Sequence, residues 1–211
     1  MRLVAGIACA VSAAMACAPP SAPSGVVTAP VVEDTLAHGI PVGYGSLRQD
    51  DIAIRLEPQG LIVRAIPLDE SVIRLLTADS YRALRDLEQS NRRTIEGITR
   101  RSGGRAPDLW YVSFYGLEEN ARFSPMELVI TSGGQDFRPL DVIPLSTGFG
   151  EQRLRQRQTQ SAVYVYSGDI DVDHPLTVTF QGQQSSIWEQ LLQRIERERA
   201  LVRARATGSG N

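Results

Sequence analysis

Lysine is missing from this chain of 211 residues, so all 22 basic residues are arginine. That excludes Schiff-base catalysis, Ser–Lys dyads and a Walker-type phosphate loop. Histidine occurs only at His38 and His174, so a Ser–His–Asp triad would have to use one of them. No Gly-x-Ser-x-Gly elbow is present. Nor is Gly-x-Gly-x-x-Gly: Arg48 stands where the last glycine of "GYGSLR" would be. Cysteine is limited to Cys9 and Cys17. The net charge of −2 supplies no global field to draw the chain onto nucleic acid. These absences point to a protein without cofactor and without enzymatic activity. The one enzymatic alternative left is a hydrolase built on two converging carboxylates.

What is present begins at the N-terminus. Met1-Arg2 precedes the uncharged run LVAGIACAVSAAMA, too short to span a bilayer permanently, which needs about 20 residues. This is the layout of an export signal over residues 1–16. Ala14-Met15-Ala16 satisfies the small-x-small rule of ordinary signal peptidase, and Met15-Ala16-Cys17 resembles the lipobox of bacterial lipoproteins. Ala14 departs from that pattern, where Leu is commonest. The resemblance covers only Arg2 through Cys17. It implies lipidation of Cys17 and anchoring to a membrane. Cys9 leaves with the signal, so the mature chain has no second cysteine for a disulfide or a cysteine metal site. Residues 17–48, rich in Ala, Pro, Ser and Val, have the composition of a disordered tether.

Residues 49–206 then form one domain, with 207–211 as a frayed tail. Alternation over 52–57, 61–68, 109–117, 126–132, 137–145, 161–167 and 176–182 predicts about seven short strands. Pro139 and Pro144 place 137–145 at a sheet edge. Between the second and third strands the period changes. Tyr81, Leu84, Leu87, Ile95 and Ile98 predict a helix over 78–91 with a continuation to 100. Trp188, Leu191, Leu192, Ile195 and Val202 form the apolar stripe of a C-terminal amphipathic helix. Arg194, Glu196, Arg197, Glu198 and Arg199 are expected mostly off that stripe. The pattern is mainly β: an immunoglobulin-like antiparallel β-sandwich with two helices, or alternatively a partly open barrel.

Three features carry candidate chemistry. Tyr111, Tyr115, Tyr164 and Tyr166 lie on the non-aliphatic faces of two strands. If those strands are neighbours, the rings make one patch for a sugar or a protein, unless a helix covers them. Arg153, Arg155 and Arg157 alternate, giving one strand face or a basic loop that suits anionic envelope material. The ordinary alternative is a solubilising stretch. Asp169, Asp171 and Asp173 alternate beside His174, a weak Ca²⁺ motif. His174 stands where a calcium loop needs glycine, and Phe180 where it needs Glu. The expectation is a lipoprotein of the bacterial cell envelope, its domain outside the cytoplasm, acting as an interaction or structural module. Its partners would be the membrane and an envelope protein. A periplasmic or secreted ligand-binding domain is the alternative.

Overall fold

Asp51 accepts the Arg48 amide at 2.8 Å and turns residues 49–52 into a helical turn, α1 (Gln49–Ile52). The first strand therefore starts later than the alternation predicts, as β1 (Ile54–Leu56). The turn at Pro58–Gly60 follows, and β2 (Leu61–Pro67) returns with Val63 opposite Leu56. The computed structural model describes residues 39–208; the export segment and Cys17 lie outside the described residues. After a short helix, α2 (Glu70–Ile73), the chain forms α3 (Ala78–Arg101), one continuous helix of 24 residues. Its polar middle stays helical because Arg85–Glu88 and Arg92–Glu96 pair across single turns at 2.9 and 2.8 Å.

The remaining strands are β3 (Asp108–Gly116), β4 (Ala121–Arg122), β5 (Val129–Ser132), β6 (Gln135–Phe137) and β7 (Asp141–Pro144). They continue as β8 (Arg153–Leu154), β9 (Thr159–Tyr166), β10 (Leu176–Phe180) and β11 (Gln183–Ser185). The fold is mainly β, with eleven antiparallel strands among the described residues where about seven were expected. The extra ones are two or three residues long, too short for periodicity to reveal. Segment 137–145 was expected as one edge strand and is two. Phe137 ends β6 in one sheet, and β7 forms the edge of the other.

The five-stranded sheet runs β1-β2-β3-β9-β7 and the four-stranded sheet β11-β10-β5-β6, with β4 and β8 as a separate ribbon. Each large sheet keeps two edge strands, so neither closes into a barrel. The sheets share one core. Phe114 of β3 lies 5.5 Å from Phe180 of β10, and the Tyr166 hydroxyl of β9 donates to the Leu128 carbonyl at 3.2 Å. On the far face of β9, Val163 and Val165 are also fully buried, and α3 adds Leu84, Ile95 and Ile98 to the same core. Each such side chain contributes about 1.5–3 kcal/mol.

The last element is α4 (Trp188–Gly208). Trp188 is fully buried, 6.4 Å from Trp110, and its indole N–H donates to the Val172 carbonyl at 3.0 Å. Glu198 and Arg199 were expected off the apolar stripe; both are buried on it, between Ile195 and Val202. Each is neutralised where it lies. The Glu198 carboxylate accepts the Ser46 amide at 2.9 Å, the Ser46 hydroxyl at 2.8 Å and Arg205 at 2.7 Å. Arg199 donates to Asp173 at 2.6 Å and to the Ser71 hydroxyl at 3.2 Å. The boundaries move accordingly. The domain begins by Ile40, which is buried, and not at 49; Leu47 bonds Leu75 and Thr77. At the other end α4 includes residues 207 and 208, which were expected to fray.

Burial pushes the Glu198 carboxyl up, but the bonds from Arg205 and Ser46 outweigh it and hold the pKa below its ordinary value. Its stabilisation is therefore present above the unfolded value, about 4.3, and lost as pH falls through the folded one. Glu198→Gln is expected to cost about 1.5–3 kcal/mol near pH 7. In urea unfolding at pH 7 and pH 3, the gap to the parent should shrink at pH 3. An equal gap at both would contradict the ionic clasp.

Candidate functional site

The strand register decides the fate of the four tyrosines. β3 and β9 are neighbours, as the patch required, but Trp110 stands opposite Tyr164 and Tyr111 opposite Val163. Directly opposed residues share a face. Tyr164 and Tyr166 therefore point into the sandwich with Trp110 and Phe114, while Tyr111 and Tyr115 point the other way. The expected four-ring face does not form. Tyr164 and Tyr166 are fully buried, with ring centroids 6.4 Å apart. Burial raises both phenol pKa values well above the ordinary one.

The aspartate turn does not converge either. Asp169 pairs with Arg105 at 3.1 Å. Asp171 accepts the Asp173 amide at 2.9 Å and meets His174 Nδ1 at 2.6 Å. Asp173 holds Arg199. Among the described residues, no group of three His, Cys, Asp or Glu side chains is placed to hold a metal ion. Nearby, Asp69, Glu70 and Asp108 line a cleft of about 190 Å³, and each is committed to the fold. Asp69 caps α2 through the Ser71 amide at 2.7 Å. Glu70 pairs with Arg74 and Arg85 at 2.5 and 2.8 Å. Asp108 accepts the amides of Asp169 and Ile170 at 2.9 and 2.7 Å. Burial raises its pKa, and neighbouring Asp69 and Asp169 add to the rise against those two bonds.

The three arginines occupy one pole of the domain. Only Arg153 is in a strand; Arg155 and Arg157 belong to the turn after it, so they form a basic loop rather than a strand face. Gly116 seats that turn at the end of β3. Its amide donates to the Gln158 carbonyl at 2.9 Å, and its carbonyl accepts the Arg157 amide at 2.8 Å. A side chain there would place Cβ 2.4 Å from the Arg155 carbonyl oxygen, so only glycine allows the approach. All three arginines are exposed, and none makes an ion pair with another described residue. Arg153 stands directly opposite Arg122 across the β4–β8 ribbon. Like charges so placed repel.

Beside them lies a cleft of about 520 Å³ lined by Arg153, Arg155, Glu119, Glu151, Gln158 and Gln160, among others. Gln160 is 2% exposed. Its Nε2 donates to the Arg153 carbonyl at 3.3 Å, which orients the amide. Its Oε1 is buried without a hydrogen-bond partner. Such an orphan costs about 1–3 kcal/mol. Sequence reasoning missed Gln160, Arg122, Glu119 and Glu151. The signal for Gln160 was there: it is the one amide in the inward alternation Gln160, Ala162, Tyr164, Tyr166.

No protein-family model, curated protein or solved structure matches this chain. Among the described residues no helix is long and apolar enough to cross a membrane.

If the arginine pair strains the ribbon, Arg153→Thr should stabilise the domain by about 0.2–1 kcal/mol at low salt. The gain should fade towards 1 M salt, where the screening length is about 3 Å. A loss of stability at low salt would show that Arg153 supports the fold instead.

Proposed function

We propose that this chain is a lipid-anchored protein of the bacterial cell envelope whose domain acts as a non-enzymatic interaction module outside the cytoplasm. The observation that carries the interaction is the basic pole. Arg122 and Arg153 face each other with no ion-pair partner among the described residues, and Arg155 and Arg157 follow in the adjoining turn. A fold gains nothing from such an arrangement; an anionic partner does. Asp69, Glu70 and Asp108 are engaged in the cap, ion pairs and amide bonds of the fold, while Glu119 and Glu151 line the cleft at the pole.

The anchor rests on the lipobox-like Met15-Ala16-Cys17. From Cys17 to the buried Ile40 there are 23 chain steps, a reach of at most about 80 Å. That suffices to hold the body clear of a membrane surface. The layer plan, two packed antiparallel sheets with the basic loop at one end, is that of an immunoglobulin-like sandwich.

Expressed in a bacterial host, the parent chain should sediment with membranes and incorporate labelled fatty acid. Cys17→Ser should abolish the label and release the chain to the soluble fraction. A mature N-terminus at Cys17 carrying no lipid by mass spectrometry would refute the anchor and leave the periplasmic or secreted form.

A further inference from the structure

We infer that the cleft at the basic pole is a binding site for an acidic saccharide, a hydroxyl-rich sugar unit bearing one carboxylate or phosphate. Four features define the occupant. Gln160 lines the cleft and its Oε1 lacks a donor, which a bare anion does not have and a sugar hydroxyl does. The guanidiniums of Arg153 and Arg155 have no carboxylate of their own and suit an acid group on the ligand. Glu119 and Glu151 line the same cleft; they accept hydroxyl donors and oppose a ligand that is anionic on every side. Among the described residues no aromatic ring lines the cleft, so a ligand there is held by polar contacts and not by stacking. Its volume of about 520 Å³ lies within the usual range of small-molecule sites.

Among the described non-glycine residues, four have positive φ: Asn120, Gln152, Arg157 and Gln181. The first three lie in the loops that build the pole. Such conformations cost energy and persist where the surroundings impose them. The amide of Gln160 is held by the backbone carbonyl of Arg153.

This inference deepens the interaction reading by naming the chemistry of what the pole meets. It does not depend on the anchor at Cys17: an unlipidated chain would leave it standing. The test is a titration of the full ¹⁵N-labelled chain at low salt with four probes: glucuronate, glucose 6-phosphate, glucose and inorganic phosphate. At least one acidic sugar should shift the Gln160 side-chain amide and the Nε–H signals of Arg153 and Arg155. Glucose and phosphate should bind at least tenfold more weakly. The stronger of the two acidic sugars identifies the source of the acid group. The double variant Arg153→Gln/Arg155→Gln, exposed and outside the core, should lose at least tenfold in affinity. Gln160→Met should lose binding while its unfolding midpoint stays level or rises. Silence from both acidic sugars, or phosphate alone acting as strongly as either, would overturn the site. So would unchanged affinity in both variants.

Discussion

The register of β3 on β9 is the constraint on which the rest of this domain depends. With Trp110 opposite Tyr164, every even-numbered residue of both strands faces the second sheet. A slip of one position would set the aromatic face of one strand beside the aliphatic face of the other and break up the cluster of Phe114 with Phe123 and Phe180. The same register sets Gln160 opposite Phe114 at the end of the ladder, so an amide enters the core where the aromatic cluster ends. It also brings the end of β3 to the turn that carries Arg155 and Arg157. The packing of the core and the layout of the pole are two results of one alignment.

Against that alignment it is plain why some elements were legible in the sequence. The long strands at 109–117 and 161–167 and the helix over 78–101 carry enough residues for their periods to register. The single helix exceeds its predicted first segment because ion pairs sustain its polar middle, which apolar spacing does not record. The two- and three-residue strands have no period at all. The tyrosines show a different limit. Each strand's alternation was correct, but the phase between strands is a tertiary fact, and it sent two rings inward and two outward.

The buried charges show a third limit. Glu198 and Arg199 have the spacing of the apolar stripe and the chemistry of the surface. Hydropathy assigns them outward; partners at Ser46, Arg205, Asp173 and Ser71 bring them in. Apart from Arg205, two turns along the same helix, those partners are remote in sequence, so no local pattern announces them. The contrast with the basic pole is informative. Where the fold must bury a charge, it supplies the counter-charge. At Arg122 and Arg153 it leaves two cations facing each other in water, where tolerance is cheap and a visitor can supply the missing sign.

The clasp between Ser46 and Glu198 joins residues 152 positions apart. A chain made from its N-terminus must produce the first half of α4 before Ser46 finds its acceptor. Ile40 and Leu47 bond Arg74, Leu75 and Thr77, all made early, but Ser46 waits for that helix. Closing so long a loop carries an entropic cost that grows with the logarithm of its length, and contacts this remote slow folding. The grip on Ser46 is therefore a sign of completion: until the final helix docks, whatever lies upstream is joined to a domain that has not yet shut.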